Sequence, residues 1–371
     1  MPKQMTTGIL FSITMAFVAR GGPYTEPGVN GYVSPVTWRH ADPLGANAML
    51  NPIFRGWATK VVEYAPADQT WSGLGVWNDP AKALGPVTGQ NFDVVSLGES
   101  DRKEIDQGLP PGHITLAFGD PNDRGAIRNG KGYDFAVFEN AFISQFTTQM
   151  GSSQGQMLAE LAYVEVSTNG QDFVRFPCVS LTPSRVGAYG TIEISNLHNL
   201  AGKHPNANGI CTGTPFDLEE LAGQPQVLSG AVDLNDVRYV RLVDVPGSGD
   251  FCDDAAEQID PSTGPNWACY SKNHPIYDMW PTWGSGGFDL EAIGILHEQE
   301  YSADVNLDGI VDDLDLAALA GAWLCRFGDR HWNGRCDLAR PKDLFIDGHD
   351  FAIFAAQWGH SERWRAEFKD E

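Results

Sequence analysis

Short apolar stretches recur along the chain before residue 300, each bounded by glycine, proline, asparagine or aspartate. Alternating apolar positions place every second side chain on one face of a strand, and a short unbroken apolar run is typical of a strand buried on both faces. The pattern predicts strands at residues 60–65, 92–97, 113–118, 133–138, 163–167, 173–176, 237–244 and 288–296. Many short strands without intervening helical patterns predict a mainly β fold, a β-sandwich of jelly-roll type.

The pattern changes after residue 300, where apolar residues recur at helical spacing in two matching segments. Residues 315–324 read DLAALAGAWL and residues 350–359 read DFAIFAAQWG. Apolar residues at this spacing line one face of a helix. Each unit is too small to bury its own apolar face, so we expect the two helices to pack against each other.

An oxygen-rich loop, residues 304–315, leads into the first of these helices. Side-chain oxygens stand at loop positions 1, 3, 5, 9 and 12, a glycine stands at position 6, and position 7 offers its backbone carbonyl. Hard oxygen ligands at this spacing suit seven-coordinate Ca²⁺, and the glycine permits the sharp turn between them. The alternative is a solvated acidic turn. The predicted ligands are Asp304, Asn306, Asp308, Ile310, Asp312 and Asp315.

The segment before the second helix repeats this loop in a degraded form, with an intruding Arg-Pro-Lys and with Leu344 in place of the glycine. Its candidate ligands are Asp337, Asp343, Asp347 and Asp350. The duplicated unit resembles a type I dockerin over roughly residues 301–360. The resemblance implies a small α-helical Ca²⁺-binding module and a cohesin-like protein partner. The partner-choice positions, Asp313 and Leu314, differ from the Ser/Thr pattern of that family.

Segments of the predicted β region carry a second resemblance. Residues 164–174, 238–242 and 288–294 resemble strands of discoidin-type, galactose-binding-like domains. Residues 132–142, 199–204 and 283–293 are similar to a family of bacterial secreted cell-surface proteins of undefined activity. The resemblance runs across roughly residues 56–297 and implies a β-sandwich at the cell surface.

The N-terminal apolar run at residues 8–19 follows a lysine and is too short to span a membrane in the mature protein. It is typical of a signal peptide, and a buried first strand is the alternative. We therefore expect a secreted or cell-surface protein that is not transmembrane once processed. The predicted divisions are a signal peptide at 1–19, an irregular lead-in at 20–55, the sandwich at 56–297, a linker at 298–303, the dockerin-like module at 304–360 and a charged tail at 361–371.

Charge indicates which partners the chain can bind, and cysteine content indicates its compartment and its disulfides. A net charge of -23 argues against nucleic acid or an anionic membrane and suits divalent cations. Six cysteines, an even number, agree with export. Cys325 ends the first C-terminal helix and Cys336 opens the second unit, which predicts a disulfide between them. The pairing of the other four, at positions 178, 211, 252 and 269, stays open.

Two further groups of residues are candidate sites in the sandwich. Asp134, Glu139 and Asn140 bracket one predicted strand and are candidate ligands of a structural Ca²⁺. The alternative is a turn cap and a solvent-facing glutamate. Aromatic residues crowd a long loop near the end of the sandwich, either as a sugar-stacking edge or as packing for the loop. They are Trp267, Tyr270, Tyr277, Trp280 and Trp283.

No sequence motif of a known catalytic site is present, whether a nucleophile elbow, a zinc-binding His-Glu-x-x-His or a phosphate-binding loop. The sequence therefore favours a binding protein whose ligand is a glycan or an envelope polymer. Two alternatives remain. One is a dockerin-bearing polysaccharide-degrading enzyme that uses a pair of carboxylates. The other is a purely structural envelope protein.

Overall fold

A computed structural model describes residues 22–67, 77–119, 125–254, 274–282, 286–299, 301–306, 308–339 and 343–361. The predicted signal peptide and nearly all of the charged tail lie outside these residues. The fold is mainly β. The strands in the described ranges are β1 (Val29–Asn30), β2 (Tyr32–Val33), β3 (Met49–Leu50), β4 (Gly56–Trp57), β5 (Lys60–Ala65), β6 (Val95–Ser96), β7 (His113–Ala117), β8 (Ala126–Ile127), β9 (Phe135–Glu139), β10 (Phe142–Ile143), β11 (Met157–Leu158), β12 (Leu161–Ser167), β13 (Val174–Arg175), β14 (Val179–Ser180), β15 (Leu197–His198), β16 (Thr212–Phe216), β17 (Tyr239–Val245), β18 (Asp289–Ile295) and β19 (Glu298–Gln299).

Two larger antiparallel sheets organise these strands. The first sheet has the order β1-β16-β9-β18-β4, with β6 also paired to β18. The second has the order β13-β12-β17-β7-β5. Its longest ladder joins β12 and β17, from Leu161 opposite Val245 to Ser167 opposite Tyr239. Smaller pairs, β10 with β11, β14 with β15, β8 with β19 and β2 with β3, border the two sheets.

Both sheets contribute side chains to one hydrophobic core. Phe135 and Phe216 come from the first sheet, Val164 and Val240 come from the second, and all four are buried in the same cluster. The rings of Phe135 and Phe216 stack with centroids 5.3 Å apart. Burial of one such side chain contributes about 1.5–3 kcal/mol, so this shared core is a main source of stability. The predicted jelly-roll connection of the strands is a finer assignment and stays a prediction.

The predicted irregular lead-in at residues 20–55 differs from the structure, because part of it joins the first sheet. β1 is an edge strand of that sheet, where Val29 lies opposite Gly213 and Asn30 opposite Thr212. The predicted linker is also partly structured. β19 pairs with β8, and Ala303 is already buried in the core of the C-terminal segment.

The helices in the described ranges are α1 (Arg102–Asp106), α2 (Pro225–Leu228), α3 (Asp313–Gly321) and α4 (Gly348–Gln357). α3 and α4 lie in the C-terminal segment, where the repeated apolar pattern predicts two helices. Their apolar faces meet in a core separate from that of the sheets, which includes Val311, Leu319, Ile346 and Phe354.

The two C-terminal units exchange short backbone pairings. Ile310, before α3, pairs with Ser361 after α4, and Phe345, before α4, pairs with Arg326 after α3. Each loop therefore lies against the end of the other unit's helix. We call residues 301–361 the C-terminal module. No helix in the described ranges combines the length and the apolar character needed to cross a bilayer.

Candidate functional site

The first loop, residues 304–315, closes around two buried aspartates, and Asp304 is the earlier of them. Asp304 Oδ1 accepts a hydrogen bond from the backbone N–H of Asp308 at 3.1 Å, and Oδ2 accepts one from Gly309 at 2.9 Å. Gly309 has φ +85°, in the left-handed region that glycine adopts without strain. The glycine thus turns the chain back toward the carboxylate that opens the loop.

Asp315 joins the end of the loop to its beginning. Its Oδ1 accepts from the backbone N–H of Asn306 and its Oδ2 from that of Asp312, both at 2.9 Å. The Asp312 side chain in turn caps α3, and Asp312 and Asp315 form a capping box. These bonds hold the predicted ligands of the first loop in one compact turn.

The other predicted side-chain ligands of this loop also accept bonds from it. Asn306 Oδ1 accepts from the N–H of Asp308 at 2.9 Å, and Asp308 Oδ1 accepts from the N–H of Ile310 at 3.0 Å. Carboxylate and amide oxygens accept more than one bond, so these contacts leave oxygen lone pairs for a hard cation. Among the described residues, however, no three His, Cys, Asp or Glu side chains stand ready-made as a metal-binding group.

The second loop keeps this framework despite its altered sequence. Asp337 Oδ2 accepts from the N–H of Leu344 at 3.1 Å, as the opening aspartate of the first loop does from its glycine. Asp350 accepts from Ala339 at 2.9 Å and from Asp347 at 2.7 Å. Ala339 thus takes the place of an asparagine and brings no side-chain oxygen. The second loop therefore offers fewer oxygens than the first, since its candidate ligands are only Asp337, Asp343, Asp347 and Asp350.

The helices that follow the loops leave part of their apolar surface exposed. A groove of about 390 Å³ is lined by Leu316, Leu319, Ala320, Trp323 and Phe351. Leu316, Leu319 and Ala320 belong to α3. The ring of Trp323, just after α3, meets that of Phe351 of α4 edge to face with centroids 6.4 Å apart. Exposed aromatic side chains grouped in this way are typical of protein-binding surfaces.

The two cysteines of the module are free thiols in this structure, so the predicted disulfide is not formed in it. Cys336 is buried in the module core, and Cys325 packs against the same core. Their pairing stays a prediction.

The structure separates the acids predicted as a metal site around β9. Asp134 precedes the strand, and Glu139 ends it, so about 16 Å of strand lies between them. Asp134 accepts hydrogen bonds from the N–H of Gly130 and of Leu218, both at 2.7 Å, and lies 2.7 Å from His297 Nδ1. Asp134, Glu139 and Asn140 therefore do not form one site, because a strand carries its two ends apart.

Glu139 instead belongs to a group of six acids that we call the acid cluster. Five are buried, and Glu99 is partly buried. They come from six different segments, including both large sheets, and lie at the end of the sheets where β9 ends and β18 begins. The members are Glu99, Glu139, Glu160, Asp244, Asp278 and Asp289.

Backbone amides hold the acid cluster together. The consecutive N–H groups of Gly287 and Phe288 donate to Glu160 Oε1 at 2.9 Å and to Asp244 Oδ1 at 2.8 Å. These two carboxyl groups, one from the residue before β12 and one from β17, therefore lie beside the start of β18. The N–H of Leu161 donates to Asp278 Oδ2 at 2.8 Å.

Burial raises the pKa of every member of the acid cluster. The pKa of Glu99 rises to about 8 and that of Asp289 to about 7. Neighbouring carboxylates add to burial, since the charge of Asp289 raises the pKa of Glu139 and of Asp244 further. The arrangement favours either bound protons or a bound cation. Apart from Glu139, these acids were not predicted as site residues, because their only local signal is an acid at the end of an apolar strand.

Of the aromatic residues predicted to bind sugar, Tyr277 and Trp280 are described, and Trp267, Tyr270 and Trp283 lie outside the described ranges. Trp280 is partly buried, and its Nε1–H donates to the carbonyl of Ser100 at 3.2 Å. Tyr277 is partly buried beside His274, with ring centroids 6.2 Å apart. Both contacts agree with loop packing, and the sugar-stacking edge stays a prediction.

Comparison with known proteins finds no match. No protein-family model, no curated protein and no solved structure matches the chain.

Proposed function

We propose that this chain is a secreted or cell-surface binding protein whose C-terminal module attaches it to a protein partner in a Ca²⁺-dependent manner. The observation that carries the proposal is the repeated loop geometry. Each loop closes on a pair of buried aspartates, Asp304 with Asp315 and Asp337 with Asp350, and leads into a helix with an exposed apolar face. The dockerin resemblance makes a cohesin-like protein the first partner to test.

Calcium has a clear physical role in the first loop. The loop gathers five aspartates within twelve residues, four of them predicted ligands, and their negative charges repel one another. A bound Ca²⁺ neutralises this repulsion, so ion binding and folding of the module are one event. The second loop lacks the oxygen at its Ala339 position, and we therefore propose tight binding at the first loop alone.

We propose that the predicted sandwich binds a carbohydrate or a matrix polymer. Support for this part comes from the resemblance to galactose-binding-like domains and from the aromatic residues near the acid cluster. The module would then position the sandwich at the surface where its polymer lies.

Chelation of the full-length chain tests the proposal. Without Ca²⁺, we expect α3 and α4 to lose helicity in far-UV circular dichroism and residues 301–361 to become sensitive to protease, because the aspartates of the first loop then repel one another. Asp308→Asn should show the same loss in the presence of Ca²⁺. Asp313→Asn is the matched control, since Asp313 is an exposed aspartate of the same segment outside the predicted ligand set. Helicity and protease resistance that are unchanged by chelator would refute the proposal.

A further inference from the structure

The acid cluster lies outside the module and has no part in the proposed attachment. Three of its oxygens are buried and accept no hydrogen bond: Oε2 of Glu139, Oδ2 of Asp244 and Oδ1 of Asp289. Their residues are 3%, 1% and 7% exposed. Buried polar atoms almost always have a partner, and three such oxygens in one cluster indicate a partner that is not a protein group.

The two chain neighbours of Asp289 contact the other two acids. Asp289 opens β18, and the next residue, Leu290, lies opposite Glu139 in the first sheet. The N–H of Phe288, on the other side of Asp289, donates to Asp244 of the second sheet at 2.8 Å. The charge of Asp289 reaches both acids, since it raises the pKa of Glu139 and of Asp244.

We propose that the acid cluster binds a calcium ion through Glu139, Asp244 and Asp289, and that this ion fastens the two sheets to each other at this end. The inference does not depend on the proposed function of the module. All three ligands are carboxylates, and hard oxygen donors without nitrogen or sulfur select Ca²⁺ over transition metals. Among the described residues no three His, Cys, Asp or Glu side chains stand ready-made as a metal-binding group, so the proposal requires these three side chains to change rotamer when the ion binds.

The remaining three acids form an outer layer around this site. Glu160 and Asp278 accept backbone hydrogen bonds, and Glu99 Oε2 accepts from Thr282 Oγ1 at 2.7 Å. Burial raises the pKa of these three acids as it does that of the inner three. A bound Ca²⁺ offsets two of the three charges of the ionised inner carboxylates.

The site joins the sheets to the segment at residues 274–282. Asp278 of this segment accepts from Leu161 at the start of β12, and the Cβ that any larger residue would add at Gly247 falls 1.9 Å from Asp278 Oδ1. The segment is therefore pressed closely against the second sheet. Loss of the ion should loosen it, together with the aromatic residues Tyr277 and Trp280 that it carries.

The test uses the full-length chain with Asp308→Asn, which removes the first-loop site. After equilibration with Ca²⁺ and removal of free ion, we expect elemental analysis to find about one Ca²⁺ per chain. Calorimetry should show the sandwich melting at a higher temperature with Ca²⁺ than with chelator. Adding Glu139→Gln should weaken Ca²⁺ binding at least about tenfold. Asp134→Asn, a buried acid at the other end of β9, is the control and should leave Ca²⁺ binding unchanged.

No retained Ca²⁺ and no calcium-dependent melting in the Asp308→Asn chain would overturn the inference, and the acid cluster would then hold protons alone. Equal Ca²⁺ binding with Glu139→Gln and without it would also overturn it. If Glu139→Gln does not fold, the parent chain with its intact cluster still decides the question. Failure of the module proposal would give a different result. The Asp308→Asn chain would then bind as much Ca²⁺ as the unaltered chain.

Discussion

Leu344 is a leucine in a backbone conformation that normally requires glycine. Its φ is +61°, at the position where the first loop has Gly309 with φ +85°. A side chain in this left-handed region costs about 1–2 kcal/mol, and the leucine side chain is half exposed, so little packing offsets the cost. The second loop therefore carries strain that the first loop avoids.

Leu344→Gly should stabilise the module by about 1 kcal/mol, because it removes this strain. The measurement is chemical denaturation of the full-length chain, followed through module helicity. Leu344→Ala is the control, since it removes the exposed side chain but keeps a Cβ in the same conformation. An equal gain for both variants would show that backbone strain is not the cause.

His198 lies between Glu26 of the N-terminal segment and Glu220, which follows β16. Its Nδ1 lies 3.0 Å from Glu26 and its Nε2 lies 2.9 Å from Glu220, while its ring stacks on Tyr24 with centroids 4.9 Å apart. Burial lowers the pKa of His198, but the hydrogen bond and charge of Glu220 and the charge of Glu26 outweigh it and raise the pKa above 6.5.

This contact should make stability depend on pH. A histidine pKa that is raised by folding contributes stability in full below the unfolded value of about 6.5, and the contribution is lost as pH rises through the folded pKa. His198→Gln should therefore cost about 1 kcal/mol at pH 5.5 and clearly less at pH 8.5, as measured by denaturant melts. His331→Gln, at an exposed histidine, is the control. An equal cost of His198→Gln at both pH values would contradict the charged-pair account.

At the scale of elements, strands with a clear apolar pattern were predictable and strands without one were not. β5 occupies the predicted residues 60–65, and β7, β9, β12, β17 and β18 lie within a few residues of their predicted ends. Gly170, in the Asn-Gly turn that joins β12 to β13, has φ +74°. β16 escaped prediction because residues 212–216 read TGTPF, in which glycine and proline are typical of a turn. Its place between β1 and β9 depends on tertiary pairing.

The α3–α4 pair offers the most specific prediction at this scale. Phe351→Ala should weaken binding to an immobilised cohesin domain by at least about tenfold, since an aromatic side chain at the centre of an interface is typically worth 1–2 kcal/mol or more. Phe327→Ala, at another exposed phenylalanine outside the groove, is the control. Surface plasmon resonance in Ca²⁺ measures both. Equal binding by the two variants would exclude the groove as the contact surface.

At the scale of the whole molecule, the two candidate calcium sites differ in whether their ligands can be predicted from the sequence. The first loop was predictable because all of its candidate ligands lie within residues 304–315, and their spacing sets their geometry. The acid cluster collects side chains from between residues 99 and 289, so its assembly depends on strand order and register. For the same reason Glu139 was predicted to share a site with Asp134, which is close to it along the chain. Asp289 lies on the adjacent strand, and its proximity could not be predicted.

Calorimetric titration of Ca²⁺ into the chelated full-length chain measures whether the first loop of the module binds calcium. The titration is run beside a variant that carries Asp304→Ala and Asp308→Ala. We predict one tight site that the variant lacks, with any Ca²⁺ that the variant still binds assigned to the acid cluster. Identical titrations of the two chains would contradict the claim and leave the module without a calcium-dependent function.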